Sequence, residues 1–211
     1  MPIPFEPWIS YPSLTPDRLK TVASIIRDTR NATVFLHEPL EGDTAWSLGC
    51  RVYSRTIAKI RSASLEMPWL RVLPESQNLK FTFSIGRLPI KFYKGDPEDI
   101  PDKCLVRSFS ELAQMKLAFD LEGVDATNML RLAVGVDMKG NTTFVTLVEV
   151  NELGTPLRIY DIPLDASNII VFQTKPIDLE PPLLEVIDEE SLEERKRAEP
   201  GDRFGTTDTE S

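Results

Sequence analysis

The chain has 211 residues, of which 41% are hydrophobic and 27% charged, and its formal net charge is −9. This size and composition are typical of one folded domain with a core of its own and a terminal extension. No apolar run approaches the roughly 20 residues of a membrane-spanning helix, and the first residues lack the basic and apolar regions of a signal peptide. The sequence therefore predicts a cytoplasmic protein with no membrane contact.

Charge is unevenly distributed along the chain. Residues 51–94 contain nine Lys or Arg and only two acidic residues, whereas residues 95–211 carry a net charge of −14. A basic segment within an acidic chain is typical of a surface that contacts a charged partner. This segment is the main indication of function in the sequence.

An arm and a helix are predicted at the start of the chain. Four prolines in residues 1–14 disfavour regular helix, so the aromatic residues of this arm are expected to pack onto the domain. Thr15 followed by Pro16 is typical of a helix start, with the threonine as N-cap and the proline at the first helical position. Pro39 is expected to end this helix.

A second helix is predicted over residues 43–62, capped by Asp43 or Thr44. Its buried face is predicted from an apolar stripe at steps of 4, 3, 4 and 3, which consists of Trp46, Cys50, Tyr53, Ile57 and Ile60. Its other faces carry Arg51, Arg55, Lys59 and Arg61. Because no acid lies between the first and the last of these four, we expect an uncompensated positive surface.

Residues 79–94 predict a β-hairpin, since apolar and polar residues alternate on both sides of a turn at Gly86. Pro89 removes a backbone donor, so the second strand of the hairpin is predicted to be an edge of the sheet. Three lysines would protect that edge from aggregation, namely Lys80, Lys91 and Lys94. A protected edge therefore offers a structural explanation for part of the basic character.

A third helix and a three-stranded meander follow. Ser108 and Glu111 match a capping box at the start of the helix, and Gly123 is expected to end it. Residues 129–164 contain three apolar runs separated by two glycine-containing turns, a pattern that predicts an antiparallel meander. Its middle strand, residues 142–151, is apolar on both faces and is predicted to be the central, doubly covered strand.

These elements predict an α+β fold, in which hairpin 79–94 and meander 129–164 form a mostly antiparallel sheet with about three helices on one face. The predicted organisation is an arm at 1–14, a single domain at 15–175 and an acidic, disordered tail at 176–211. Residues 169–172 are expected to add one more strand. A short helix is the most regular structure expected in the tail.

Catalytic and metal-binding patterns are scarce. His37 is the only histidine, and neither a nucleophile motif nor a phosphate-binding loop is present. Cys50 and Cys104 follow no metal or redox spacing and are predicted to be free buried thiols. The sequence therefore assigns no catalytic residue, metal or cofactor, and it favours a protein that is not an enzyme.

One catalytic alternative is left open, a metal-dependent nuclease. Asp102 after a proline, followed later by Asp137 and Lys139, is similar to the carboxylate–lysine pattern that holds a divalent ion and activates water. A predicted helix intervenes where that pattern expects adjacent strands. The segment from Asp137 to Asn141 is also typical of a hairpin turn, which explains the same residues without a catalytic role.

The sequence favours a small binding or regulatory protein that contacts another protein through a basic helix–hairpin surface and an acidic tail. The candidate contact residues are Arg51, Arg55, Lys59, Lys80, Arg87, Lys91 and Lys94, with Leu183, Leu184 and Ile187 as a motif in the tail. Nucleic-acid binding by segment 51–94 is the main alternative, with Phe92 and Tyr93 available for base stacking. The overall acidity opposes it, because the sequence pI is about 4.8. The partner, the oligomeric state and the sharing of one surface by helix and hairpin are left open.

Overall fold

A computed structural model describes residues 2–74, 81–122 and 128–164. It confirms an α+β fold. The helices are α1 (Pro7–Ser10), α2 (Pro16–Phe35), α3 (Ala45–Glu66), α4 (Asp102–Leu105) and α5 (Phe109–Glu122), with a 3-10 helix at Pro39–Glu41. The strands are β1 (Ile3–Pro4), β2 (Leu70–Val72), β3 (Phe83–Ile85), β4 (Leu88–Lys94), β5 (Met129–Val136), β6 (Thr142–Val150) and β7 (Pro156–Asp161).

The seven strands form one mixed sheet in the order β1-β7-β6-β5-β4-β3-β2. Strands β5, β6 and β7 are neighbours paired antiparallel, which confirms the predicted meander. Two pairs are parallel, β1 with β7 and β4 with β5. The parallel β4–β5 pair exists because α4 and α5 carry the chain back between the two strands, as a crossover must. The central strand is β5, whereas the sequence predicted β6.

The starts of α2 and α3 follow the predicted capping chemistry. The Thr15 side chain accepts a hydrogen bond from the Arg18 amide, and Pro16 is the first residue of α2. Thr44 and Ser47 form a reciprocal capping box at the start of α3. Each cap satisfies a backbone amide that would otherwise have no partner inside the helix.

The buried face of α3 differs from the prediction. The buried residues are Leu48, Val52, Thr56 and Ile60, which follow one another at steps of four. Trp46 and Cys50 were predicted to be buried, yet both are exposed, and the Trp46 side chain is 78% accessible. The reason is that Thr56 occupies a core position. The stripe that is buried therefore contains a polar residue and is less apolar than the adjacent stripe that was predicted to be buried.

Strand β4 is not an edge, and that prediction was wrong. It lies between β3 and β5, and its pairing with β5 begins at Ile90, one residue after Pro89. The missing amide of Pro89 therefore costs no hydrogen bond to β5. Lys91 does not guard an edge either, because its side chain is buried.

Helices cover both faces of the sheet, whereas the sequence predicted one covered face. Leu19 and Ile26 of α2 pack with strand residues such as Leu132 and Leu147 in the larger core cluster. Arg131 points to the opposite face because successive strand side chains alternate. On that face Arg131 donates a hydrogen bond to the Cys104 carbonyl of α4 and is ion-paired with Glu111 of α5.

The N-terminal arm is held by a buried carboxylate. Glu149 of β6 is buried and accepts hydrogen bonds from the Tyr11 hydroxyl at 2.8 Å and the Asn128 side chain at 2.7 Å. Arg158 of β7 is ion-paired with the same carboxylate at 2.5 Å. Burial, followed by the nearby Glu149 charge, raises the pKa of Tyr11. The arm thus packs on the domain through its aromatic residues, as predicted, although Pro7–Ser10 forms one helical turn.

Some predictions lie outside the described residues. They are the end of the third helix at Gly123, the strand at 169–172, Lys80 and the tail at 176–211. The domain boundaries also stay a prediction. Over the part of the chain that is described, no helix combines the length and the apolar character needed to cross a lipid bilayer.

Candidate interaction surfaces

Helix α3 exposes three basic residues, Arg55, Lys59 and Arg61, and Glu66, the last residue of the helix, is its one acid. Arg55 donates a long hydrogen bond, 3.5 Å, to the Thr33 hydroxyl of α2. The helix therefore exposes several basic side chains to solvent, whereas a positive surface that binds a partner stays a prediction.

Arg51 has a different environment from the other basic residues of α3. Its guanidinium is ion-paired with Asp43 at 2.5 Å and lies 3.2 Å from the His37 ring. The Glu38 backbone amide, and then the Arg51 guanidinium, lower the pKa of Asp43. This cluster joins the end of α2 to the start of α3, so Arg51 has a structural role beside any role in binding.

Apolar side chains are exposed at both ends of α3. Trp46 stands near its first turn, and Leu65 near its last turn is 88% accessible. Between them, the exposed residues include Cys50, Ser54 and Ala58, which are small and follow one another at steps of four. A side with small residues in the middle and large apolar ones at the ends lets another polypeptide approach closely.

One of the predicted hairpin residues, Lys91, is not exposed as predicted. Lys91 is buried, and its ammonium lies 2.6 Å from the Glu111 carboxylate on the face of the sheet opposite to α3. Lys94 is exposed at the end of β4, and Arg87 is half-buried in the β3–β4 turn. The sheet therefore separates Lys91 from the α3 surface, and Lys91 is corrected from a contact residue to a core residue.

A buried ionic cluster explains the position of Lys91. Glu111 of α5 lies between Lys91 of β4 and Arg131 of β5, at 2.6 Å and 2.7 Å, and neither Glu111 nor Arg131 has any accessible side-chain surface. Burial lowers the pKa of Arg131, and the Glu111 charge opposes that shift. A guanidinium nevertheless stays protonated in proteins. The cluster is therefore two cations around one anion, which attaches α5 to the sheet.

The aromatic residues of the hairpin belong to the core. Tyr93 is buried, and its hydroxyl donates to the Asp96 carbonyl at 3.0 Å. Phe92 packs against the rings of Tyr53 and Phe81, with centroids 5.5 Å and 6.4 Å away. Neither ring is placed to stack on a base, so nucleic-acid binding loses the aromatic contribution that the sequence suggested.

A second surface, on α5, was missed by the sequence reasoning. Its inner side carries Glu111, Met115 and Ala118, all buried. Its outer side exposes Phe109, Leu112 and Phe119, of which Phe109 is 78% and Phe119 57% accessible. The signal in the sequence was that eight of the 14 residues of α5 are apolar and lie all around the helix, a composition typical of helices covered on every side.

Of the residues considered for nuclease chemistry, Asp137 and Lys139 serve the β5–β6 turn, whereas Asp102 is the first residue of α4. The Asp137 carboxylate accepts a hydrogen bond from the Asn141 amide at 2.8 Å, and hydrogen bonds to the turn lower its pKa against the opposing effect of burial. In residues 2–74, 81–122 and 128–164, no three His, Cys, Asp or Glu side chains are grouped so as to hold a metal ion. Of the two cysteines, Cys104 is buried as predicted, whereas Cys50 is exposed.

Comparisons of this chain with protein-family models, with curated proteins and with solved structures found no match.

Proposed function

We propose that this chain is a small, non-catalytic binding protein that contacts an acidic segment of another protein through the outer side of α3. The observation that carries the proposal is the helix itself, which exposes Arg55, Lys59 and Arg61 and holds no acid before its last residue. Positive charge of this kind steers an acidic partner toward the surface and selects against basic ones.

Shape supports a polypeptide partner. The exposed side chains of Trp46 and Leu65 stand 19 residues apart, which is about 28 Å along a helix. Trp and Arg are enriched at the residues that contribute most to protein–protein binding. A partner helix with acids beside a few apolar residues would match both the charge and the apolar ends of this side.

Nucleic-acid binding through segment 51–94 is the competing function. It would use the same basic residues of α3. Lys91 and the two hairpin aromatics, Phe92 and Tyr93, pack in the core and do not contribute to it. The tail motif of Leu183, Leu184 and Ile187 stays a prediction, because those residues lie outside the described part of the chain.

The test is fluorescence anisotropy on the full chain with two sets of labelled probes. One set is a synthetic amphipathic peptide of Glu and Leu, and the other is single- and double-stranded DNA and RNA of similar length. The variant R55E/K59E reverses two charges on α3. The control K103E/K139E reverses two exposed charges elsewhere, so both proteins have the same net charge.

We expect the peptide to bind wild type and control, to bind less tightly as salt rises, and to lose affinity at least tenfold in R55E/K59E. Peptide affinity that is equal in the two variants would overturn the proposal. Nucleic-acid binding that is lost in R55E/K59E, with no peptide binding, would replace it by the nucleic-acid function. If both variants unfold at the same temperature as the wild type, the exposed charges act in binding and not in folding.

A further inference from the structure

The outer side of α5 carries an apolar stripe of defined spacing. Phe109, Leu112, Lys116 and Phe119 follow one another at steps of three, four and three and are all exposed. This spacing puts them on one side of the helix, next to exposed Val106. The buried side of α5 is occupied by the ionic cluster and by Met115 and Ala118, so the stripe is available for a contact that is separate from the α3 surface.

We propose that a second copy of this chain covers the stripe, with the two α5 helices antiparallel about a two-fold axis. Steps of three, four and three read the same in both directions. Two antiparallel copies therefore place Phe109 of one against Phe119 of the other at both ends of the contact. Leu112 then faces the aliphatic stem of Lys116 of the second copy, and the ammonium reaches solvent.

A two-fold contact requires a surface that is complementary to itself, and the reversible spacing meets that requirement. The two Lys116 ammonium groups do not oppose this pairing. In the antiparallel register the residues are displaced by about 6 Å along the axis, and the helices are about 8–10 Å apart. The charges are then about one Debye length from each other at physiological salt and repel weakly.

The size of the contact places it in the class of small, reversible interfaces. An aromatic side chain offers roughly 150–250 Å² of surface, so covering the exposed parts of Val106, Phe109, Leu112 and Phe119 removes on the order of 500 Å² per copy. A standard stable interface removes about 800 Å² per partner. We therefore infer a dimer that forms at micromolar or higher concentration and dissociates on dilution.

The experiment is sedimentation velocity of the full chain from low micromolar to millimolar concentration. The wild type should shift from monomer to dimer. The variants F109E and F119K should each stay monomeric, because a charge then faces an aromatic ring at both ends of the contact. When they are mixed, one end regains Phe against Phe and the other places Glu against Lys, so a heterodimer should form.

The matched control is L40E, which places the same charge on a fully exposed apolar residue away from α5 and should dimerise like the wild type. A wild type that is monomeric at every concentration would overturn the inference. Dimers that persist in both α5 variants, or variants that remain monomeric when mixed, would also overturn it. The peptide test of the α3 surface is read out separately, so either proposal can fail without the other.

Discussion

Lys91 and Arg131 stand side by side on the parallel strands β4 and β5, and both reach the carboxylate of Glu111 on α5. Lys91 also donates to the Val106 carbonyl, and Arg131 to the Cys104 carbonyl, each at 2.7 Å. One acid thereby contacts two strands, while its two cations bind carbonyls at the end of α4, just before α5. The position of α5, and of its apolar outer side, depends on this cluster.

Replacing Glu111 by Gln keeps the size of the side chain and removes its charge. Two cations would then remain buried without their anion, so we expect the free energy of unfolding to fall by about 3–5 kcal/mol. Urea unfolding followed by circular dichroism measures it. The exposed acid Glu98 provides the control, since E98Q should change stability by less than about 0.5 kcal/mol.

A triple replacement tests whether the three charges of the cluster stabilise the fold. K91M/E111L/R131M removes all three charges and keeps comparable volume, so its stability should equal or exceed that of the wild type. A loss in E111Q no larger than in E98Q would contradict the buried cluster. A triple variant as unstable as E111Q would show that the carbonyl contacts of Lys91 and Arg131 matter more than their charges.

The cluster shows why part of the fold could not be predicted from the sequence. Glu111 matches a capping box locally, and the Ser108 hydroxyl does accept from the Glu111 amide at 3.2 Å, but the carboxylate turns into the core. Lys91 alternates with apolar residues as an exposed strand residue would. What decides both cases is a parallel pairing between distant segments, which no local pattern reveals.

Local chemistry was sufficient elsewhere. The caps at Thr15 and Thr44 and the glycine turns of the meander depend on neighbouring residues alone, and they were predicted correctly. In the candidate site, the exposure of Arg55 and Lys59 followed from helix periodicity. The exposure of Trp46 did not, because a polar residue, Thr56, occupies the core position that hydrophobicity alone assigns to its neighbours.

Alkaline pH should destabilise the fold through its tyrosines, most of all Tyr11 and Tyr93. Burial is the main cause that raises the pKa of Tyr11 and of Tyr93, so both stay protonated in the folded state at a pH where the unfolded chain ionises. Their contribution to stability is complete below the ordinary tyrosine pKa of about 10 and is lost as pH rises above it. The free energy of unfolding, measured by urea from pH 8 to pH 11, should fall with a slope of up to about 1.4 kcal/mol per pH unit for each tyrosine.

The variant Y11F tests how much of the alkaline loss of stability is due to Tyr11. It removes one ionising group together with the hydrogen bond to Glu149, so we expect lower stability at neutral pH, by about 1 kcal/mol, and a shallower alkaline loss. Alkaline slopes that are equal in wild type and Y11F would show that Tyr11 ionises alike in the folded and unfolded states.

The two thiols should differ in reactivity. Cys50 is exposed on α3, whereas Cys104 is buried, and burial raises the pKa of the Cys104 thiol despite the nearby Arg131. Because the thiolate is the reactive form, a thiol reagent should modify one cysteine quickly in the native protein and the second only in denaturant. C50S should abolish the fast phase, and C104S should retain it. A fast phase that survives in C50S would contradict the burial of Cys104.

Gly135 and Phe144 face each other across β5 and β6, and the ring lies over the glycine. A Cβ added to Gly135 would come within 2.1 Å of the Phe144 Cε1 atom. In G135A the ring must therefore move, and we expect a loss of about 1–3 kcal/mol in the free energy of unfolding. Urea unfolding measures the loss. The control is G49A on α3, where an added Cβ meets nothing within 4 Å and should stabilise the helix by about 0.5–1 kcal/mol.

A double-mutant cycle separates the ring from the backbone as the cause of that loss. With F144A in place, the ring no longer occupies the space over residue 135, and alanine suits a strand interior better than glycine does. G135A should then be neutral or stabilising, so the coupling energy between the two positions should exceed about 1 kcal/mol. A loss of the same size in both backgrounds would instead assign the need for glycine to the β-bulge between Gly135 and Val136.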